Sequence, residues 1–131
     1  MPAETPEEIH ALLAAAFNRG DAEAFLSIYE PDAMMLMPPE GREVRGPAAI
    51  RAAVEPLLAA RPRFRSQVVK KLETDGVALT HARWTLTAEA AGESREESGH
   101  GTVVSRRQPD GSWLIVLDNP LSPAWPARGK G

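Results

Sequence analysis

The sequence of 131 residues contains no cysteine, so disulfide bonds and thiolate chemistry are excluded. It also lacks an excess of basic residues, because 15 lysines and arginines stand against 18 aspartates and glutamates. The arginines are scattered among glutamates and form no basic stripe, which argues against a nucleic-acid partner. No stretch approaches the roughly 20 consecutive apolar residues that a membrane-spanning helix needs. We therefore expect neither nucleic acid nor a membrane as a partner.

The first residues, MPAETPEEIH, lack the basic segment and the apolar segment of a secretion signal, so a cytoplasmic location is the default expectation. Apolar residues make up 43% of the chain and charged residues 25%, values typical of a soluble globular protein. The length suits one domain. We expect a single domain over residues 1–131, with an ordered core over about residues 6–119 and an irregular tail over residues 120–131.

Three helices are predicted in the first half of the chain. Thr5 and Pro6 supply the N-cap hydroxyl and the first-turn proline of the first helix, and apolar residues at helical spacing follow them. Gly20 suits a left-handed C-terminal position and Asp21 an N-cap, which separates the first helix from the second. The first helix is predicted to end near residue 18, the second to extend over residues 22–29, and the third to begin at residue 47.

Two prolines mark uncertain element ends in this half. Pro31 is predicted to stop the second helix, and Ala33 to Met37 is predicted as a short buried strand. Pro56 falls inside the third helix, where proline removes one backbone donor and clashes with the preceding turn. We therefore expect a kink near residues 52–55 or an early end of the helix there.

The second half of the chain changes to long β-like runs separated by turn sequences. The connections are short enough to form antiparallel hairpins. Helices first and a meander of strands afterwards predict an α+β fold, with the helices packed on one face of the sheet. The four predicted strands extend over about residues 63–74, 77–90, 94–107 and 112–119.

Several short motifs occur in a fixed order along the chain. They are an Arg-Gly-Asp break, a Tyr-x-x-Asp-Ala sequence, a Gly-Pro-Ala-Ala-Ile helix start and a final Trp-Leu-Ile-Val-Leu-Asp-Asn strand. This order resembles the nuclear transport factor 2-like superfamily, and more narrowly its bacterial branch related to SnoaL-type polyketide cyclases and ketosteroid isomerases. The resemblance covers about residues 6–119. It implies a cone in which a curved antiparallel sheet wraps around three N-terminal helices and leaves a ligand pocket.

The resemblance predicts the fold more directly than it predicts the function, because this superfamily hosts many unrelated activities. Ketosteroid isomerases use a carboxylate base together with a tyrosine and a protonated aspartate. In an ungapped alignment their tyrosine falls on Leu13 and their base on Met37, so the isomerase machinery is not carried over. We therefore expect a domain that binds a small hydrophobic molecule, with cyclase-type or isomerase-type activity as the enzymatic hypothesis.

The alternative is a non-catalytic module for binding or homodimerisation. Relatives commonly dimerise through the outer face of the sheet, so the resemblance implies a homodimer here as well. The segments 66–69 and 102–105 offer alternating surface for such an interface.

Three titratable residues are predicted as catalytic candidates: His81, His100 and Asp118. His81 shares a strand face with Leu79, and His100 stands between two glycines that leave room beside it. Asp118 ends the last strand on the face of Val116, where burial would raise its pKa and pairing with a histidine would lower it. Each has a structural alternative, which is a hydrogen-bonded sheet residue for the histidines and a strand-end cap for the aspartate.

Five further residues are predicted to contact the ligand. The unbranched thioethers of methionines adapt to irregular apolar cavities, although they also serve as ordinary core residues. An asparagine after the last strand keeps hydrogen bonding but cannot transfer protons at neutral pH. The predicted ligand-binding residues are Tyr29, Met35, Met37, Trp84 and Asn119.

No cofactor and no metal site are expected. His81 and His100 lack a paired-ligand spacing, and cysteine is absent. Glu96 and Glu97 point to opposite faces if the chain is extended there.

Overall fold

The computed structural model describes residues 2–38, 40–90 and 92–123, except for the side chain of Ala90. No helix within these ranges is long and apolar enough to cross a membrane. The elements in chain order are α1 (Pro6–Arg19), α2 (Ala22–Leu26), β1 (Tyr29–Met37), β2 (Arg42–Arg45), α3 (Pro47–Ala59), β3 (Arg63–Thr74), β4 (Val77–Ala90), β5 (Glu93–Arg107) and β6 (Trp113–Ser122).

The strands form one curved, open sheet in the order β2-β1-β6-β5-β4-β3. The predicted α+β class, with a curved sheet and N-terminal helices, is confirmed. The three pairs among β3 to β6 are antiparallel, as predicted. β1 and β2 also pair antiparallel, whereas β1 and β6 pair in parallel. The chain between β1 and β6 passes through α3 and four strands, so no tight hairpin forces those two strands to run in opposite directions.

The predicted break between the first two helices is confirmed at the level of single hydrogen bonds. At the start of α1, Thr5 accepts a hydrogen bond from the Glu8 N–H at 3.2 Å. Gly20 ends that helix with a left-handed φ of 64°. Asp21 then accepts a hydrogen bond from the Ala24 N–H at 3.0 Å and caps α2. These local signals fix where the chain reverses.

The predicted C-terminal end of the second helix is wrong. α2 ends at Leu26, and β1 already begins at Tyr29, four residues before the predicted strand. The Ile28 carbonyl accepts a hydrogen bond from the Ile115 N–H at 2.8 Å, which draws the chain into the sheet. Pro31 lies where the register between β1 and β6 is irregular, so its missing donor is tolerated there.

Of the two effects expected of Pro56, a kink or an early end of the third helix, the early end is wrong. α3 continues through Pro56 to Ala59 and is capped by Ala60. Pro56 lies in the last turn and is exposed, so it removes a single donor close to a helix end.

The last strand extends beyond its predicted end at residue 119 and reaches Ser122. Pro120 remains in the strand, and its carbonyl accepts a hydrogen bond from Trp84 Nε1 at 3.0 Å. Most of the predicted irregular tail, residues 124–131, lies outside the described residues. The short strand β2 was not predicted.

The two faces of the sheet have different surroundings, which decides where a site can form. The inner face is covered by the helices, and fully buried residues such as Ile9, Ile50 and Val54 lie between the two layers. The outer face of β3 to β6 carries the alternate side chains, and Leu72 and Leu117 remain 57% and 47% exposed there.

Candidate functional site

A cavity of about 110 Å³ lies between the inner face of the sheet and the helices, and it is partly open to solvent. Its wall is mainly apolar. Predicted residues that line it are Tyr29, Met35, Met37, Trp84 and Asp118.

Aromatic rings form one continuous side of this wall. The Phe17 ring stacks on the Phe64 ring with centroids 4.6 Å apart and meets the Phe25 ring edge-on at 5.4 Å. Phe25 is 5.2 Å from Tyr29, and Phe64 is 6.4 Å from Trp84. Such pairs hold one another in place, so the wall is rigid and apolar on this side.

The first polar group in the wall is a carboxyl–phenol pair. Tyr29 Oη donates a hydrogen bond to Asp118 Oδ2 at 2.5 Å. Burial raises the pKa of Asp118 from 3.8 to about 6, and the hydrogen bond from Tyr29 limits the rise. Burial, followed by the negative charge of Asp118, holds the pKa of Tyr29 well above its usual value of 10. At neutral pH the pair therefore consists of a carboxylate and a neutral phenol that orients it.

The second polar group is His10 on α1, which also lines the cavity. Its Nε2 atom is 2.7 Å from Thr80 Oγ1, and its Nδ1 atom is 3.2 Å from Ser66 Oγ. Burial lowers the pKa of His10 to about 4, against a smaller opposing effect of Glu7. The imidazole is therefore neutral at physiological pH.

His10 was missed by the sequence analysis, although a signal was present. His10, Leu13 and Phe17 recur at helical spacing, and all three line the cavity. A polar residue within an apolar helical stripe is buried when that stripe packs against a sheet. The stripe alone does not show that a cavity lies beneath it.

The structure places the two other predicted catalytic residues away from the cavity. His81 and His100 lie on the outer face with their ring centroids 5.7 Å apart, and His81 Nδ1 is 3.2 Å from Thr102 Oγ1. The prediction that both line the cavity with Asp118 is wrong, because the odd-numbered positions of this part of β4, and the even-numbered positions of β5 that pair with them, face outward. His81 does share a face with Val77, as predicted, but Val77 is 38% exposed.

Two details explain the remaining placements. Asn119 lies opposite Thr102 on the outer side of β6, so it does not line the cavity, and its Oδ1 accepts a hydrogen bond from the Leu121 N–H at 3.0 Å. The space that was predicted beside His100, next to the glycines of β5, is occupied by Trp84 at Gly99. A Cβ atom at Gly99 would lie 2.7 Å from the indole of Trp84.

Among the described residues, no group of three or more histidine, aspartate or glutamate side chains is arranged to hold a metal ion.

Comparison with solved structures shows the fold. The chain superposes with a TM-score of 0.75 on a proposed calcium/calmodulin-dependent protein kinase type II association domain from Thiobacillus denitrificans, at 23% identity over 93% of this chain and 99% of that one. A nuclear transport factor 2-like superfamily protein from Salmonella enterica gives a TM-score of 0.74 at 17% identity, covering 95% of this chain and 93% of its own. A comparison with curated protein sequences gave no match.

A third similar structure is a nuclear transport factor 2-like protein of unknown function from Shewanella oneidensis, with a TM-score of 0.73 and 19% identity over 88% of this chain and 94% of that one. The sequence profile of the SnoaL-like domain matches residues 9–115, a range that includes His10 and Tyr29 and ends before Asp118. Fold and profile agree over most of the chain, and the protein belongs to the SnoaL-like domain family.

Proposed function

We propose that the protein binds a small, largely apolar carbonyl compound in the cavity and that Asp118 moves a proton on it. The observation that carries this proposal is a half-buried carboxylate in an apolar wall, held by a phenol at 2.5 Å. A carboxylate whose pKa lies near 6 is ionised at neutral pH and is a stronger base than an exposed one.

The chemistry that this arrangement supports is proton abstraction next to a carbonyl group. Asp118 accepts the proton from carbon and can return it to the same or another carbon, as an isomerase or cyclase requires. Tyr29 keeps its own proton and fixes the carboxylate through Oδ2, which leaves Oδ1 for the substrate. Leu13 and Met37, at the aligned positions of the ketosteroid isomerase residues, line the cavity as apolar wall.

The volume limits the ligand to a small compound. An engineered apolar cavity of about 150 Å³ binds benzene. A cavity of about 110 Å³ with an open side therefore suits a single ring or a short branched chain better than a fused polycyclic molecule.

Hydrogen–deuterium exchange on cyclohexanone in D2O, followed by NMR, tests the proposal. We expect the protein to accelerate exchange of the protons next to the carbonyl by at least 100-fold over the same concentration of acetate. The rate should rise with pH through about 6, because the ionised form of Asp118 is the base. Exchange no faster than with acetate, or a rate that does not change between pH 5 and pH 7, would contradict the proposal.

A second candidate function, homodimerisation, is favoured by an apolar row on the outer face. Leu72 lies opposite Leu79, Leu79 opposite Val104, and Val104 opposite Leu117. Met34 continues the row on β1 beside Leu117. A second copy of the chain, placed on the same face, would cover this row. The similar protein from Thiobacillus is described as an association domain, which agrees with this proposal.

Sedimentation velocity of Leu117→Glu tests the dimer. We expect a dimeric wild-type protein and at least a 100-fold weaker association of the variant, because two-fold symmetry brings two carboxylates into the apolar row. Ala59→Glu, on the exposed side of α3, is the control and should remain dimeric. A monomeric wild-type protein, or a dimer that is unchanged by Leu117→Glu, would contradict the outer-face dimer.

A further inference from the structure

The smallest residues in the cavity wall lie close to Asp118. On the inner face of β4 and β5, Ala82 pairs with Gly101, and both line the cavity. Gly101 is also close to the last strand, because a Cβ atom built on it would lie 3.3 Å from Pro120 Cα. Asp118 lies two positions before Pro120 on that strand, and both line the cavity. The inner face therefore has a recess beside the carboxylate, where a methyl group and a hydrogen atom stand in place of larger side chains.

The indole of Trp84 closes the side of this recess away from the carboxylate. Trp84 pairs with Gly99, and a Cβ atom on that glycine would lie 2.7 Å from Cζ2 and 3.0 Å from Cε2 of the indole. A Cβ atom on Gly101 would lie 3.6 Å from Cδ1 of the same ring system. Because the two glycines leave the backbone of β5 uncovered, the indole lies against that backbone.

Two further contacts hold the indole in this position. Its Nε1 atom donates a hydrogen bond to the Pro120 carbonyl at 3.0 Å, so the indole crosses β5 from β4 to β6. The Phe64 ring packs beside it, with the ring centroids 6.4 Å apart and the planes inclined by 25°. The indole cannot turn aside for a larger ligand without losing these contacts, so it sets a fixed limit on one side of the cavity.

The space between the carboxylate and the indole suits a single ring. Val103 lies opposite Asp118, and Gly99 lies opposite Trp84. Val103 and Gly99 are four residues apart on β5, which is roughly 13 Å along an extended strand. The Val103 side chain and the indole occupy part of this length. The remainder accommodates one six-membered ring but not two fused rings, in agreement with the cavity volume of about 110 Å³.

We infer that the ring of the ligand lies in this recess over Ala82 and Gly101, and that the Trp84 indole sets the largest ring system that the cavity admits. This inference rests on the proposed function and narrows its substrate class. The substrate is a monocyclic ketone whose acidic carbon lies beside Asp118 and whose opposite edge contacts the indole. Trp84 is therefore a specificity-determining residue and takes no part in the proton transfer.

The first test compares the affinities for cyclohexanone and for 2-decalone, a ketone with a second fused ring, by NMR titration. We expect the wild type to bind cyclohexanone more tightly. Trp84→Ala should raise the affinity for 2-decalone relative to that for cyclohexanone by at least about tenfold, because two or more further methylene groups are then buried. Ser98→Ala, at an exposed position one residue before Gly99, is the control and should leave both affinities unchanged.

The second test moves the indole towards the ligand. The added methyl group of Gly99→Ala overlaps the indole, which is pushed into the cavity because the backbone of β5 lies behind it. The affinity for cyclohexanone should then fall about fourfold for each methylene group that no longer fits. In the double variant Trp84→Ala/Gly99→Ala the methyl group meets no indole, so the ratio of the two affinities should equal that of Trp84→Ala alone. A loss of cyclohexanone binding that persists in the double variant would overturn the inference.

The outcomes separate this inference from the proposed function. If Trp84→Ala keeps the wild-type ratio, or if the wild type binds 2-decalone as tightly as cyclohexanone, the inference is overturned and the proposed function stands. If the wild type binds neither ketone, both fail. Binding with the expected ratios but without proton exchange would overturn the proposed chemistry and support the size limit. Should Trp84→Ala not fold, Gly99→Ala decides, because an undiminished affinity for cyclohexanone overturns the inference.

Discussion

Asp118→Asn is expected to abolish proton exchange on cyclohexanone and at the same time to stabilise the protein at pH 8 by up to about 3 kcal/mol. Asparagine has nearly the same shape as aspartate, and its oxygen can accept the hydrogen bond from Tyr29. It has no basic carboxylate, however, so exchange should fall by at least 100-fold.

The gain in stability follows from the direction of the pKa shift. The carboxyl has a pKa of about 6 in the folded protein, against 3.8 as its usual value. The folded state therefore holds the proton more tightly than the unfolded chain. The stability that this protonation contributes is full below pH 3.8 and is lost as pH rises through 6. A difference of about two pKa units corresponds to about 3 kcal/mol, and asparagine does not bear this cost. The site thus exchanges stability for basicity.

Urea unfolding of both proteins at pH 4 and pH 8 measures this effect. The free energy of unfolding of Asp118→Asn, relative to that of the wild type, should be higher at pH 8 than at pH 4. Asp32→Asn, at an exposed aspartate of β1, is the matched control and should show no such change. A variant that gains nothing between pH 4 and pH 8 would contradict a buried, costly carboxylate at position 118.

His10→Leu is expected to make the protein more resistant to acid by about 3 kcal/mol. In the folded protein the pKa of His10 is about 4, against 6.5 as its usual value, because the ring is buried. The unfolded chain therefore binds the proton first. The stability contributed by this group is present above pH 6.5 and is lost as pH falls through 4. Leucine has a similar volume and does not titrate.

The measurement is again the free energy of unfolding, now at pH 7.5 and pH 4. Relative to the wild type, His10→Leu should gain about 3 kcal/mol at pH 4 compared with pH 7.5. His100→Leu, on the outer face, is the control for the loss of a histidine. Equal acid sensitivity of the wild type and His10→Leu would show that the imidazole at position 10 is not held in its neutral form.

The two effects oppose each other between pH 4 and pH 6. The Asp118 contribution falls as pH rises over this interval, whereas the His10 contribution rises. The wild-type protein should therefore show only a weak net dependence from these two groups. Each single variant exposes the slope of the group that remains.

Local features of the fold could be predicted because each depends on a few neighbouring residues. Thr5, Gly20 and Asp21 act through caps and a left-handed turn within one helical turn of themselves. The turn at Asp75 and Gly76 has positive φ at both residues, as its sequence indicates. The strand bounds derived from such turns agree closely with β3 and β4.

The faces of the strands could not be predicted from the same signals. Both His81 and Trp84 were predicted at the cavity, although alternation along β4 puts them on opposite faces. Alternation does not say which of the two faces packs against the helices. That choice depends on the packing of α1 and on the fit of Trp84 against Gly99, both of which are contacts between distant segments. For the same reason Asp118 was identified as a cavity residue while its neighbour Asn119 was misplaced.

The parallel pairing of β1 with β6 has a consequence for the order of folding. Tyr29 and Asp118, which are 89 positions apart, come together only when the last strand docks beside the first. Contacts between such distant segments are slow to form, because a long loop must close before they contribute. On the ribosome, the helices and the first hairpins can collapse early, yet the carboxylate reaches its phenol only after nearly the whole chain has emerged. The carboxylate that we propose as the base therefore meets its phenol last, and a nascent chain that has folded only in part does not yet contain this pair.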